Sequence, residues 1–190
     1  SGIVDESDLC FLGGFPGPLR ELLGVWSEEI DCLPEDRHNS IKCAGSNDLG
    51  LAGEFEAGIY CDLIHTESAE TLATYTDDFY AGRPALTRNR FGDGYAFYVA
   101  ARMEDRFLKE FYGALVEYTG VTRAFETTLP PGVSASVREG ESARYVFLLN
   151  FTAEQKRIEL PETAGVDLLT RRPCGGPTTI GERGFLVLRA

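Results

Sequence analysis

The 190 residues carry 18 basic and 30 acidic side chains, a net charge of −12, and this balance repels nucleic-acid phosphates and anionic membrane surfaces, excluding both as partners. At 43% hydrophobic content with 21 glycines the chain can bury the core of one or two domains. No run approaches the ~20 apolar residues of a membrane span, and Ser1-Gly2-Ile3-Val4-Asp5-Glu6 lacks the basic and apolar regions of a secretion signal.

The acidity is concentrated. Residues 1–122 hold 9 basic and 22 acidic side chains, whereas 123–190 hold 9 and 8, and the change falls just before Leu129-Pro130-Pro131-Gly132, which punctuates regular structure. Two domains, 1–122 and 123–190, are expected. In the first, Pro18 is placed to start a short helix ending at Leu23 before Gly24. Trp26–Leu33, Gly58–His65 and Glu70–Tyr75 read as strands. Ala85–Arg90 and Tyr95–Ala101 flank Phe91-Gly92-Asp93-Gly94, a hairpin signal. From Glu104 to Tyr118, Phe107, Phe111, Leu115 and Tyr118 recur at helical spacing with Gly120 beyond, predicting an amphipathic helix packed on a sheet. After Pro130 only short strands are predicted, at 133–138, 144–151, 157–160, 166–169 and 185–189, giving a small antiparallel sandwich or half-barrel.

Chemistry-bearing patterns are sparse. Asp77-Asp78, Glu28-Glu29 and Glu35-Asp36 are adjacent carboxylates, but neighbours on a strand point to opposite faces, so these read as solvated surface rather than the paired acids of glycoside hydrolysis. Gly92-Asp93-Gly94 lacks the third glycine and following helix of a dinucleotide loop. Gly13-Gly14-Phe15-Pro16-Gly17-Pro18 is short of the N–H donors an anion nest needs, and reads instead as a rigid turn presenting Phe11, Phe15 and Trp26. No Gly-x-Ser-x-Gly or Gly-x-Cys-x-Gly elbow is present. Cys10, Cys32, Cys43, Cys61 and Cys174 form no Cys-x-x-Cys pair and His38 and His65 are the only histidines, so no disulfide framework, metal site or cofactor is expected, and a cytoplasmic setting fits. His65 reads as a hydrogen-bonded strand-edge residue. Asn150-Phe151-Thr152 matches a glycosylation sequon but sits in a predicted strand.

Three stretches near the start, residues 1–8, Phe11-Leu12-Gly13-Gly14-Phe15-Pro16-Gly17-Pro18-Leu19-Arg20 and Leu23-Gly24-Val25-Trp26-Ser27-Glu28-Glu29, resemble the bacterial family-42 glycoside hydrolases, the β-galactosidases. The resemblance continues through 73–85 and 92–102, then Leu129-Pro130-Pro131-Gly132-Val133 and Tyr145–Phe151. It implies an α/β trimerisation domain, amidotransferase-like or flavodoxin-like and entered part-way, followed by a small all-β antiparallel domain. It implies no catalytic residue here, because that family's two glutamates sit on a (β/α)₈ barrel, for which about 250 residues are needed. The expected role is self-association, as a homotrimer in a parent enzyme whose missing barrel binds the galactoside and hydrolyses it with retention. Phe11, Phe15, Arg20 and Trp26 are the candidate interface. Two other readings stand beside this one: a stand-alone amidotransferase-like enzyme, against which the missing cysteine elbow argues, and a carbohydrate-binding β module. Against the second, alternation assigns Tyr145, Phe147, Phe151 and Phe185 to the core.

Overall fold

A computed structural model describes residues 2–122 and 127–189, which form two compact units, 1–120 and 121–190. The expected boundary at 122/123 adjoins residues 123–126, outside the described ones.

In the first unit a 3₁₀ turn, Gly17–Leu19, runs into α1 (Arg20–Leu23), which stops at Gly24 in the left-handed region (φ 63°). Seven strands follow: β1 (Val25–Cys32), β2 (Asn39–Cys43), β3 (Glu54–Thr66), β4 (Glu70–Tyr75), β5 (Pro84–Phe91), β6 (Gly94–Val99) and β7 (Ala101–Met103). They are ordered β1-β3-β2-β4-β5-β6, and β7 pairs with β3. Since β7 follows β6 after a single residue, the path from β3 through β2, β4 and β5 returns to β3. The helix α2 (Asp105–Thr119) ends at Gly120, also left-handed (φ 63°). It packs Phe107 and Phe111 into the core with Ile41, Phe55, Leu63, Tyr75 and Leu86. The rings interlock: Phe107 stacks on Phe111 at 5.4 Å and meets Phe55 edge-on at 5.2 Å. Leu115 and Tyr118 are half-buried on the same face.

Every pairing in this unit is antiparallel, which corrects the α/β expectation. The connections decide it. Only three residues separate β3 from β4 and two separate β5 from β6, while a parallel neighbour needs a crossover of a dozen residues or more. Among the described residues the one helix longer than four residues is α2.

The second unit is all-β and antiparallel, as expected: β8 (Val133–Glu139), β9 (Arg144–Asn150), β10 (Lys156–Asp167), β11 (Pro173–Ile180) and β12 (Phe185–Arg189), ordered β11-β10-β12-β9-β8. Its core holds Val146, Leu148, Ile158, Leu160, Ile180 and Leu188. The expected burial of aromatics is overturned. On β9 it is Val146, Leu148 and Asn150 that point inward, leaving Tyr145 and Phe147 half-buried on the other face, with Phe151 71% and Phe185 55% exposed. A one-residue change of phase exchanges the two faces of a strand. Asn150 is buried and ties two loops together, its amide nitrogen donating to the carbonyls of Glu154 (2.7 Å) and Gly181 (2.8 Å).

Candidate functional site

The segment from Phe11 to Trp26 is fixed to the sheet by its own turn residues. Gly24 lies so close to Asn89 and Ser68 that a Cβ there would stand 2.6 Å from both, and its φ of 63° is one that side chains resist. Its carbonyl accepts from the backbone N–H groups of Glu67, Ser68 and Ala69, the turn between β3 and β4. Buried Asn89 donates to the carbonyls of Glu21 and Leu22 at the end of α1 (3.1 and 2.9 Å), groups the short helix cannot satisfy itself. Upstream, the Ser27 amide donates to the Phe15 carbonyl (2.8 Å), and the Phe11 ring lies over Gly17, where any Cβ would collide with it.

The four candidate residues are all half-buried. Arg20 clamps Glu67 with two hydrogen bonds (2.8 and 2.5 Å), donates to the Gly13 carbonyl (2.6 Å) and places its guanidinium 6.0 Å from the centre of the Trp26 ring. Trp26 stacks on His65, its register partner across β1 and β3. His65 Nε2 meets Glu28 Oε2 at 2.7 Å, and Arg83 donates to the same oxygen at 2.8 Å. The hydrogen bonds from His65 and then Arg83 hold the Glu28 carboxyl below the usual glutamate range, as Arg20 does for Glu67. Arg20, Trp26, His65, Glu28 and Arg83 thus run as one partly exposed row of aromatic and charged groups. Phe15 belongs to a different feature, a cavity of about 480 Å³ with Ser27, Tyr60, Asp62 and Tyr98 in its wall.

Sequence reasoning missed Glu28, Asp62, His65 and Arg83 as members of this region. Asp62 carried a signal: it is the one charged residue in Gly58–Ile64, a run that otherwise reads as core. The acidic pairs do not converge. Asp77 and Asp78 organise their own turn, the Asp78 amide donating to Asp77 Oδ1 and the Phe79 amide to Asp78 Oδ1 (2.7 Å each). Among the described residues no helix is long and apolar enough to cross a membrane.

A family model described as the β-galactosidase trimerisation domain matches residues 1–142, and one described as the β-galactosidase C-terminal domain matches 132–190. Among curated proteins, the chain is 47% identical to β-galactosidase Pbg of Clostridium perfringens over 189 residues, and 49% identical to β-galactosidase BglY of Alicyclobacillus acidocaldarius over 188. These alignments cover 100% and 99% of this chain, which spans 27% of the length of each relative. The solved β-galactosidase from Bacillus circulans sp. alkalophilus aligns over 100% of this chain and 28% of its own, at 40% identity and a TM-score of 0.83. That from Rahnella sp. R3 aligns over 100% and 27%, at 44% identity and a TM-score of 0.81. With the stiff turn of Gly13–Pro18, the Gly24 pivot and the Gly120-capped helix all inside the matched span, the chain belongs to the family-42 β-galactosidases and corresponds to their non-catalytic trimerisation and C-terminal domains.

Proposed function

We propose that this chain serves self-association in a bacterial, cytoplasmic β-galactosidase, as a homotrimer, and that the enzyme cleaves terminal β-D-galactosides with retention on a barrel outside the present residues. Residues 1–122 are the associating part and 123–190 the C-terminal β domain. The observation that carries this reading is the match of residues 1–142 to a trimerisation domain. The association surface includes Phe11, Phe15, Arg20 and Trp26. Support comes from their anchoring: rigid aromatics and a pinned arginine lose little entropy on docking, which is why interface hot spots favour them.

The test is Trp26→Ala and Phe15→Ala in a full-length family enzyme carrying this region, followed by light scattering and thermal melting. Dissociation of a folded protein is expected. A trimer that persists with a lowered melting temperature assigns these residues to core packing instead.

The exposure of Phe151 and Phe185 favours a second reading, in which the C-terminal β domain stacks a sugar ring on these aromatics. Titration of the chain with galactosides, monitored at the two phenylalanines, distinguishes it.

A further inference from the structure

Two neighbouring residues of β3 stand outside its pairing with β7, and both are turned to solvent. Gly58 pairs with Arg102 and Cys61 with Ala101, so Ile59 and Tyr60 are extra to the ladder, a bulge of the kind that re-aims side chains. Ile59 lies in the left-handed region, at φ 64°. The other described non-glycine residues with positive φ are Asp8, Asp78, Arg171 and Arg183. Ile59 alone is β-branched, and a branched Cβ crowds the backbone most in that conformation. Its neighbours hold it there: the Ile59 carbonyl accepts from the Leu33 amide (2.8 Å), and a Cβ at Gly58 would stand 3.0 Å from His38 Nδ1. Burial does not offset the strain within the chain, because Ile59 is 64% exposed. Tyr60 and Ile30 are exposed beside it, and the register, Ile30 opposite Asp62 and Cys32 opposite Tyr60, sets both on one face. Ile30, Cys32 and Tyr60 share the cavity wall with Phe15, so this apolar strip runs into the surface proposed for association.

We infer that Ile59, Tyr60 and Ile30 form the apolar centre of the contact with a second copy of this chain, resting on the self-association proposed above. A second copy is the occupant because the strip lies inside the span matched by a trimerisation domain, residues 1–142, and is continuous with Phe15. Charge points the same way. Two copies, each with a net charge of −12, repel one another over most of their surface and approach at lowest cost where neither presents charge. Within residues 1–122, which hold 22 acidic and 9 basic side chains, an isoleucine, a tyrosine and a second isoleucine make such a place, and interface centres are depleted of charge and enriched in aromatics. In a closed ring the contact is head to tail, so the strip meets a different patch on its neighbour. The bulge fixes Ile59 outward before docking, which lowers the ordering cost of association. The free chain stores the backbone strain, and burial of Ile59 against the neighbour offsets it.

The 190-residue chain, Ile59→Gly, Ile59→Val and Ile30→Ser are compared by analytical sedimentation over a concentration series. Thermal melts are taken where each is monomeric, since association by itself raises the melting temperature. Glycine relaxes the backbone and removes the side chain. Ile59→Gly should therefore melt at the parent's temperature or above it, yet associate about ten-fold or more weakly. Ile59→Val keeps a branched apolar side chain and should associate within about five-fold of the parent. Ile30→Ser, on the other strand, should weaken association at an unchanged melting temperature. A lowered melting temperature for monomeric Ile59→Gly would show that the side chain serves the fold, and would overturn the contact. A parent that associates and an Ile59→Gly variant that associates equally well, whatever Ile30→Ser does, would overturn it too and leave the self-association reading standing. A parent monomeric at every concentration would overturn both.

Discussion

Trp26 and His65 lie face to face, ring centroids 4.4 Å apart and planes 8° from parallel, on strands that pair them in register. The stack holds His65 Nε2 on Glu28, so one carboxylate collects a histidine and an arginine on the solvent side of β1. Glu28 titrates below its ordinary value of 4.5 in the folded chain, chiefly through the hydrogen bond from His65 and then that from Arg83. A depressed acid contributes stability that is complete above the unfolded value and lost as pH falls through the folded one. Glu28→Gln should therefore lower the melting temperature near neutrality, and the gap from the parent chain should close below about pH 4.5. Parallel curves from pH 7 to pH 3 would refute an ionic role for this carboxylate.

Phe111 lies between Phe107 and Phe97, with centroids at 5.4 and 5.9 Å. Truncation empties a space that the strands around it cannot close. Phe111→Ala should cost about 3–5 kcal/mol of unfolding free energy, measured by denaturant titration. A loss below about 1 kcal/mol would place the helix stripe outside the core.

Thr87 is fully buried on β5, and its hydroxyl has no hydrogen-bond partner among the described residues. Valine has nearly the same shape without the stranded polar group. Thr87→Val should raise stability by about 1 kcal/mol. A fall in the denaturation midpoint with unchanged slope would mean that the hydroxyl is satisfied after all.

Arg88 joins the hairpin to the end of α2. Its side chain is 10% exposed, pairs with Asp48 (2.9 Å) and Glu70 (2.7 Å), and lies 5.1 Å over Tyr95 and 6.0 Å from Tyr118. Because both carboxylates are well exposed, water re-solvates them when the arginine is removed. The cost of Arg88→Met is accordingly set at about 1–2 kcal/mol, below that of a fully buried pair. Hydrogen exchange should show the last turn of α2 opening more readily, and an unchanged exchange pattern there would argue against the link.

Where one face of an element is apolar and its ends carry turn chemistry, the sequence was legible. β4 at Glu70–Tyr75 and β12 at Phe185–Arg189 fall where alternation and flanking turn residues predict them, and α2 ends at its glycine. β2, Asn39–Cys43, was missed because Ile41 and Cys43 are its only apolar side chains and its place between β3 and β4 is set by tertiary pairing. Pro173, Pro177 and two glycines hid β11, yet it is an edge strand, where a missing N–H is tolerated. The single strand β10 was read as two because Pro161 and Gly165 interrupt it, and the register with β11 does shift between Leu160 and Gly165. The candidate site was legible only in part. Prolines and aromatics pointed to Phe11–Trp26, but the partners Glu28, His65, Arg83 and Asp62 are assembled by β1–β3 pairing and hairpin closure, which no local pattern reports.

The inward orientation of Asn150 bears on how the protein can be produced. Asn150-Phe151-Thr152 is an acceptor sequence for oligosaccharyltransferase, which reaches such an asparagine while the nascent chain is still unfolded. Its amide nitrogen spends both hydrogens in the folded β domain, on Glu154 and Gly181. An attached glycan would take one of those hydrogens and force a bulky sugar into a position with 3% exposure. Passage through a secretory pathway that glycosylates asparagine would thus yield a chain unable to close the loops at 150–154 and 181–184, whereas synthesis in a bacterial cytosol leaves the amide free to fold inward.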